Sequence, residues 1–336
     1  MSADFSHNLN NRSTPLRSAA GADLDPEIRR FVREVGEAFR RYPNFNDLPP
    51  PDMRQIGEKV RASWAAGGPA MIKRQDRIVP TLAGEVCVRV HNPSVRSGKP
   101  ALIYMHGGGW TLFSIDTHDR LMREYAARAD VVVIGVDYAL APEAKFPIPL
   151  EQVVHVIRWA REHSGELDID ADRIALGGDS AGGNLALAAS IQLRDAGESE
   201  TVRALVLNYG CFDTHCSAEA LQRYGGADYM LGADEMTWFW NNYLRTADDA
   251  THPLACPSNA DLRGLPPTSM AIAECDILCE QNERMAEQLK SAGVAVDAAI
   301  YPGASHSFLE AMSISALSNR AIDATAQWLR KLLQSA

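Results

Sequence analysis

Residues 178–182 have the types and spacing of a turn that presents a nucleophilic serine. The motif Gly178-Asp179-Ser180-Ala181-Gly182 follows an apolar run at 173–176 and opens a segment with helical spacing. A sharp strand-to-helix turn lifts such a serine above the edge of a sheet, and glycines relieve crowding around it. The positive end of the helix would then face an anion formed at Ser180. The alternative is a glycine-rich turn with an ordinary N-cap serine.

A second motif, His106-Gly107-Gly108-Gly109-Trp110, directly follows an apolar run at 101–105. Successive glycines let backbone N–H groups point into a site where an oxyanion forms, each donor contributing roughly 3–4 kcal/mol to acyl transfer. A phosphate-binding loop is the competing interpretation, but the chain has neither G-x-x-x-x-G-K-[ST] nor G-x-G-x-x-G with an acidic partner. A flexible turn is the remaining alternative, and the later serine turn disfavours it.

An activated serine needs an imidazole that accepts its proton and a carboxylate that orients the imidazole. For a serine on a strand–helix turn, the chain order is Ser, then Asp or Glu, then His. Six histidines precede Ser180 and are excluded by this order: His7, His91, His106, His118, His155 and His163. His215 and His252 lie in a segment that lacks strand patterns. We therefore predict that His306, in a small-residue segment after a strand-like run, is the base rather than an ordinary surface histidine.

Asp276 is the predicted orienting acid, because it follows the strand-like run at 268–273. Glu274 is the nearest rival, but the period of a strand points it away from the face of Cys275. Glu280 is expected to begin the next helix, where a carboxylate suits the helix dipole.

The elements that would position these residues predict a mainly parallel sheet covered by helices, and so an α/β fold class. Strand-like runs, mostly continuously apolar as in strands covered on both faces, occur at 84–91, 101–105, 131–136, 173–176, 203–207, 268–273 and 296–301. Helical spacing occurs at 25–41, about 50–66, 150–164, 181–196, 280–292 and 318–334. Strands and helices in alternation predict parallel pairing.

Four segments organise the chain in this prediction. Residues 1–66, a polar lead at 1–24 followed by two helices, form the first part of a cap. Residues 67–210 and 261–336 form the core. Residues 211–260 form a helical cap insertion, which has no strand pattern but contains the aromatic run Trp238-Phe239-Trp240.

Composition excludes several functional classes. The 336 residues carry a net charge of −10, with 46% hydrophobic residues, which argues against nucleic-acid binding and for a globular protein with a large core. No apolar run approaches the ~20 residues that span a bilayer, and the first residues lack the pattern of a secretory signal. Six scattered cysteines do not suggest a disulfide scaffold, so a cytoplasmic location is expected. Cys211, His215 and Cys216 lack the second ligand pair of a structural zinc site.

Together the motifs resemble the hormone-sensitive-lipase-like group of α/β-hydrolase carboxylesterases, often called bacterial family IV. The matching elements are 106–110, Asp137-Tyr138-Ala139-Leu140-Ala141-Pro142-Glu143, 177–184, Asp276 and His306. Ala139 stands where the family normally has Arg. The resemblance implies the α/β-hydrolase fold and an acyl-enzyme mechanism on short- to medium-chain esters.

For the site, the resemblance implies a triad of Ser180, Asp276 and His306, with oxyanion donors at the amides of Gly108, Gly109 and Ala181; Gly107 competes for one place. His106, Tyr138, Glu143, Asp179 and Asn184 are expected to support loops. Trp110 and Trp238 are predicted to bind substrate, with packing in the core as the alternative. The expected partner is a small-molecule ester, without cofactor, metal, nucleic acid or membrane, and members of the group often form homodimers.

Two other functions stay open at this point. An amide deacetylase or a lactone hydrolase would use the same triad, and no residue excludes either. Some relatives, such as the plant gibberellin receptor, bind small molecules without catalysis after losing the histidine; His306 argues against that interpretation here.

Overall fold

The computed structural model describes residues 23–334, which are built around one eight-stranded sheet. The strands are β1 (Lys73–Thr81), β2 (Gly84–Asn92), β3 (Lys99–Met105), β4 (Val132–Asp137), β5 (Ile169–Asp179), β6 (Ala204–Asn208), β7 (Thr268–Cys275) and β8 (Val296–Ser305). Their order is β1-β2-β4-β3-β5-β6-β7-β8. Pairing is antiparallel from β1 to β4 through β2 and parallel from β4 to β8. The predicted α/β fold with a mostly parallel sheet is confirmed.

Helices cover the sheet. They are α1 (Pro26–Phe39), α2 (Pro50–Ala65), α3 (Asp119–Ala129), α4 (Ile148–Glu162), α5 (Ser164–Leu167), α6 (Ala181–Asp195), α7 (Ala218–Tyr224), α8 (Ala233–Tyr243), α9 (Cys279–Ser291) and α10 (Ala316–Gln334). Every residue of β3 and β6 is buried. Because successive side chains of a strand point to opposite faces, both faces of these strands are covered, which explains their continuously apolar sequences. None of the helices in residues 23–334 is both long and apolar enough to cross a bilayer.

Strand β1 and helices α3 and α5 are not among the elements predicted from the sequence. Strand β1 is rich in charged residues and pairs only with β2 at the sheet edge, so it lacks the apolar run on which the strand predictions depended. Helix α3 lies between the glycine run and β4, where no helix was predicted, although Leu121, Met122 and Tyr125 are buried at helical spacing. The predicted polar lead at 1–24 lies, except for its last two residues, outside the described part of the chain.

The first described helix is fixed to the loop that carries His306. Asp25 caps α1, its carboxylate accepting from the amides of Glu27 and Ile28 at 2.9 and 3.3 Å. The Asp25 amide donates to the Gly303 carbonyl at 3.0 Å. A Cβ on Gly303, where φ is +75°, would lie 2.6 Å from the Asp25 nitrogen. Only glycine fits this close approach. The start of α1 is therefore attached to the chain at Gly303, three residues before His306.

Candidate active site

The predicted serine turn joins β5 to α6 at the carboxyl edge of the sheet. Ser180 has φ +53° and ψ −120°, a strained conformation for a residue with a side chain. Its amide donates to the Asn208 carbonyl at 2.9 Å. A Cβ on Gly178 would lie 2.3 Å from the Gly182 backbone, and a Cβ on Gly182 would lie 2.0 Å from the Met105 carbonyl oxygen. The two glycines of the motif are therefore required by close backbone packing.

The structure brings Ser180, His306 and Asp276 together. His306 Nε2 lies 2.8 Å from Ser180 Oγ, and His306 Nδ1 lies 2.6 Å from Asp276 Oδ2. Since an ionised carboxylate can only accept, Nδ1 carries the proton and Nε2 accepts from the serine hydroxyl. The Leu278 amide donates to the other Asp276 oxygen at 3.0 Å. This arrangement suits transfer of the hydroxyl proton to the imidazole during nucleophilic attack.

Electrostatics favour a charged imidazole at this position. Burial opposes protonation of His306, but the charge and hydrogen bond of Asp276 outweigh it, so the pKa of His306 is raised above its ordinary value of 6.5. The same interaction would stabilise the imidazolium that forms when Ser180 gives up its proton. Glu274, the rival acid, instead accepts a hydrogen bond from the Gly303 amide at 2.8 Å.

The glycine run places three backbone amides near Ser180, and only some of them are free to bind a further acceptor. Gly107 donates its N–H to Asp179 Oδ1 at 3.1 Å, so it is occupied and does not compete as an oxyanion donor. Across residues 23–334, no group accepts a hydrogen bond from the amides of Gly108, Gly109 or Ala181. Gly108 and Gly109 have φ of +114° and +57°, which places both in the region that favours glycine.

Aromatic residues connect the glycine run to the segment predicted as the cap. The Trp110 indole is fully buried and stacks on Tyr243, with ring centroids 4.2 Å apart and planes at 5°. Its centroid also lies 4.5 Å from that of Trp240. The Trp110 ring packs against α8, and Trp110 also lines the cavity described below. Trp238 is half-buried and lines the cavity, and substrate binding by either residue stays a prediction.

A cavity of about 620 Å³ opens over Ser180 and His306. Residues from α1, α2 and α8 form much of its wall, among them Val35, Phe39, Met53, Met236, Trp238 and Phe239. The volume and apolar lining suit a small organic ligand. Both segments predicted as cap thus contribute to this wall, while the predicted domain boundaries themselves stay a prediction.

Several predicted supporting residues do hold loops. Tyr138 Oη donates to the His106 carbonyl at 2.7 Å, and Asn184 donates to the carbonyls of Cys211 and Ala255 at 2.8 and 2.9 Å. The Glu143 carboxylate accepts from Arg54 of α2 at 2.6 Å.

His106 is buried, and its Nδ1 contacts the Gly107 carbonyl at 2.7 Å. Burial lowers the pKa of His106 to about 3, so this imidazole is neutral and unsuited to proton transfer near neutral pH.

Sequence reasoning missed charged residues in the cavity wall. Glu235, in the first turn of α8, lines the cavity, where desolvation by the surrounding protein raises the pKa of its carboxyl although the side chain reaches solvent. Arg61 of α2 also lines the cavity and forms an ion pair with Glu310, with Nη1 2.9 Å from Oε2. The sequence signal for Glu235 was its position, as a charged residue shortly before the aromatic run of the predicted cap insertion. No pattern along the chain pairs Arg61 with Glu310, which are far apart in sequence.

The chain is similar to known proteins over most of its length. A family model described as alpha/beta hydrolase fold matches residues 102–310. An acetyl esterase of Salmonella agona is 34% identical over 288 residues, which are 85% of this chain and 88% of that protein. An acetyl esterase of Salmonella paratyphi B is 36% identical over 258 residues, or 76% of this chain and 79% of that protein.

Solved structures give the same result. A hyperthermophilic esterase from the archaeon Pyrobaculum calidifontis superposes with a TM-score of 0.85 at 34% identity, covering 92% of this chain and 98% of that chain. The thermostable carboxylesterase EstE1 from a metagenomic library superposes with a TM-score of 0.83 at 34% identity, covering 86% of this chain and 99% of that chain.

Proposed function

The chain belongs to the α/β-hydrolase family, as an esterase of the hormone-sensitive-lipase-like group, and from this premise we propose that it cleaves short- to medium-chain carboxylic esters through an acyl-enzyme on Ser180. The observation that carries the proposal is the continuous chain of contacts from Ser180 Oγ to His306 and Asp276, at 2.8 and 2.6 Å. A histidine within hydrogen-bond distance of a serine, itself oriented by a carboxylate, is the arrangement that activates a weak hydroxyl nucleophile.

In the acylation step, Ser180 Oγ forms a bond to the ester carbonyl carbon as its proton moves to His306 Nε2. Asp276 keeps Nδ1–H in place and stabilises the positive charge on the imidazole. The carbonyl oxygen becomes an anion beside the amides of Gly108, Gly109 and Ala181. When the tetrahedral intermediate collapses, the bond to the alkoxide breaks and the proton on Nε2 passes to the departing oxygen.

In the deacylation step, water replaces the alcohol. His306 Nε2 takes a proton from the water as its oxygen attacks the acyl carbon, and the same three amides face the second oxyanion. Collapse returns the proton to Ser180 Oγ and releases the carboxylic acid. Each step uses groups of this chain and water alone.

The preference for short- to medium-chain acyl groups is supported by two observations. The relatives that are 34–36% identical are named as acetyl esterases. The cavity must hold both the acyl group and the alcohol within about 620 Å³, and bulky side chains of α1 and α8 form its wall. A small-molecule ester therefore fits the site as its substrate.

A series of p-nitrophenyl esters from acetate to palmitate tests this proposal. We expect the highest kcat/KM at short to medium chains, and Ser180→Ala should lower it by at least about a thousandfold. Ser291→Ala, at the exposed end of α9, is the matched control and should retain activity. Turnover by a folded Ser180→Ala protein would contradict the mechanism, and a maximum at palmitate would contradict the chain-length preference.

A further inference from the structure

A second imidazole–carboxylate pair involves the residue that immediately precedes Ser180. His118 Nε2 is 3.2 Å from Asp179 Oδ2, and both side chains are only 1% exposed. Asp179 immediately precedes Ser180, and its other oxygen accepts from Tyr104 Oη at 2.9 Å and from the Gly107 amide at 3.1 Å. One buried carboxylate therefore connects the serine turn with the glycine run.

The hydrogen bonds around His118 fix its protonation. Thr117 Oγ1 lies 2.9 Å from His118 Nδ1 and donates its own proton to the Ser114 carbonyl at 2.8 Å. Because the hydroxyl proton is already used, the Thr117 oxygen accepts from Nδ1–H. The Asp179 carboxylate accepts from Nε2–H in the same way. Both ring nitrogens donate, so the ring is an imidazolium, unlike His306, whose Nε2 accepts from Ser180.

The charges that face His118 support this state. The titratable and charged groups around His118 are Asp179 of the serine turn, His106 after β3, Glu58 and Arg61 of α2, and Glu310 in the segment after His306. Three of these groups are carboxylates, one is a guanidinium, and His106 is neutral. Burial opposes protonation of His118, but the Asp179 charge outweighs it and raises the pKa of His118 above 6.5.

The contact between Asp179 and Gly107 bears on the oxyanion site. A Cβ on Gly107 would lie 2.4 Å from Asp179 Oδ2, so the loop is packed directly against the carboxylate. Gly107 is followed at once by the two glycines whose amides are unoccupied. A shift or protonation of Asp179 would therefore release the residue that anchors these two amides.

We propose that His118 is a positioning residue for the oxyanion site: as an imidazolium it holds the Asp179 carboxylate, which anchors Gly107 and so aims the next two amides at the carbonyl attacked by Ser180. This inference rests on the proposed function, because those amides act only if Ser180 attacks an ester. His118 is not among the residues that line the cavity over Ser180. Preorganised donors lose their effect when they are misplaced, since their value depends on fixed geometry.

The first test measures the protonation of His118 directly. Nitrogen NMR of protein labelled with nitrogen-15 in its histidine rings, assigned by the signals missing in His118→Gln, should show both ring nitrogens protonated at pH 7. A neutral ring at pH 7 would overturn the proposal. This measurement uses the unaltered protein, so it stands even if a variant folds poorly.

The second test separates positioning from folding. We expect His118→Phe to lower kcat about 10- to 100-fold while KM changes less than about threefold. Affinity for an alkylboronic acid, whose adduct with Ser180 places an anionic oxygen among the amides, should fall by a similar factor. His118→Gln, which keeps a donor toward Asp179, should recover most of both. His163→Gln, a partly buried histidine at the end of α4, is the control and should match the unaltered protein.

The outcomes distinguish this inference from the proposed function. Unchanged boronate affinity in a folded His118→Phe protein that still reacts with a fluorophosphonate at Ser180 would overturn the role of His118 alone. Retained ester hydrolysis in Ser180→Ala would overturn the proposed function. Equal losses in His118→Phe and His118→Gln, with KM rising as much as kcat falls, would also contradict positioning by hydrogen bonding.

Discussion

Phe239 of α8 lies against Gly109 so closely that a Cβ on this glycine would be 2.1 Å from two carbons of the phenylalanine ring. Helix α8 thus packs directly on a residue whose amide is a proposed oxyanion donor. Since Gly109 also has φ of +57°, neither the backbone nor the available space tolerates a side chain here.

We predict that Gly109→Ala lowers kcat about a hundredfold or more, because the methyl group displaces either the loop or Phe239. Steady-state kinetics on p-nitrophenyl acetate measures this loss. Gly165→Ala, with nothing within 4 Å of the added Cβ, is the control and should leave kcat unchanged. Activity of Gly109→Ala equal to that of the control would contradict the role of this amide, and partial rescue by Phe239→Ala would identify the ring as the obstacle.

Asp276→Asn should lower kcat by about three to four orders of magnitude, because an amide at this position no longer fixes the imidazole with Nδ1 protonated. Glu274→Gln is the matched comparison, since its carboxylate only accepts from the Gly303 amide, and the amide oxygen of Gln can still do so. We expect the second variant to retain most activity. Comparable losses in both variants would show that the acid has been assigned to the wrong carboxylate.

The dependence of kcat/KM on pH follows from the direction of the His306 pKa shift. Burial lowers this pKa, but Asp276 raises it more, so His306 keeps its proton to a higher pH than an ordinary histidine does. Only the neutral ring accepts the serine proton, so activity should fall with decreasing pH, with its midpoint above 6.5. Glu235→Gln removes a carboxylate that also raises the pKa and should move the midpoint down. A midpoint below 6.5 in the unaltered protein would refute this account.

The buried pair of Arg61 and Glu310 links α2 to the turn after His306, at 2.9 Å and with both side chains about 95% buried. Removing one partner leaves the other charge buried and unpaired, so Arg61→Met should lower the free energy of unfolding by about 3–5 kcal/mol. Urea unfolding measures this. In the exposed pair of Arg30 and Glu34, Arg30→Met should have a much smaller effect, because solvent screens this pair. Equal effects from the two substitutions would contradict a stabilising role for the buried contact.

The sequence predicts a triad whose three members follow strands that end at the same edge of a parallel sheet, and the structure brings these three side chains into contact. Ser180, Asp276 and His306 are far apart along the chain, yet strand order and chain order were enough to select them. The sequence could not tell which of the amides at 107–109 are free to bind an oxyanion. The Gly107 amide is occupied because it donates to Asp179, and this contact depends on the path of the loop in three dimensions.

Other features were invisible for related reasons. Strand β1 is an edge strand with polar residues, so its pairing is determined by β2 rather than by a pattern of its own. The stacking of Trp110 on Tyr243 has no signal along the chain, because it depends on how α8 folds back over the glycine run. His118 precedes Ser180, and the chain-order argument excludes it only as the general base, not as a residue that contacts the serine turn.

The central claim is that Ser180 is made nucleophilic by His306, and covalent labelling tests it most directly. A fluorophosphonate probe, followed by intact-protein and peptide mass spectrometry, should add one phosphonyl group per chain at Ser180. Labelling should be lost in Ser180→Ala and slowed at least about a hundredfold in His306→Ala. Rapid labelling at another residue, or labelling of Ser180 at an unchanged rate without His306, would contradict the claim.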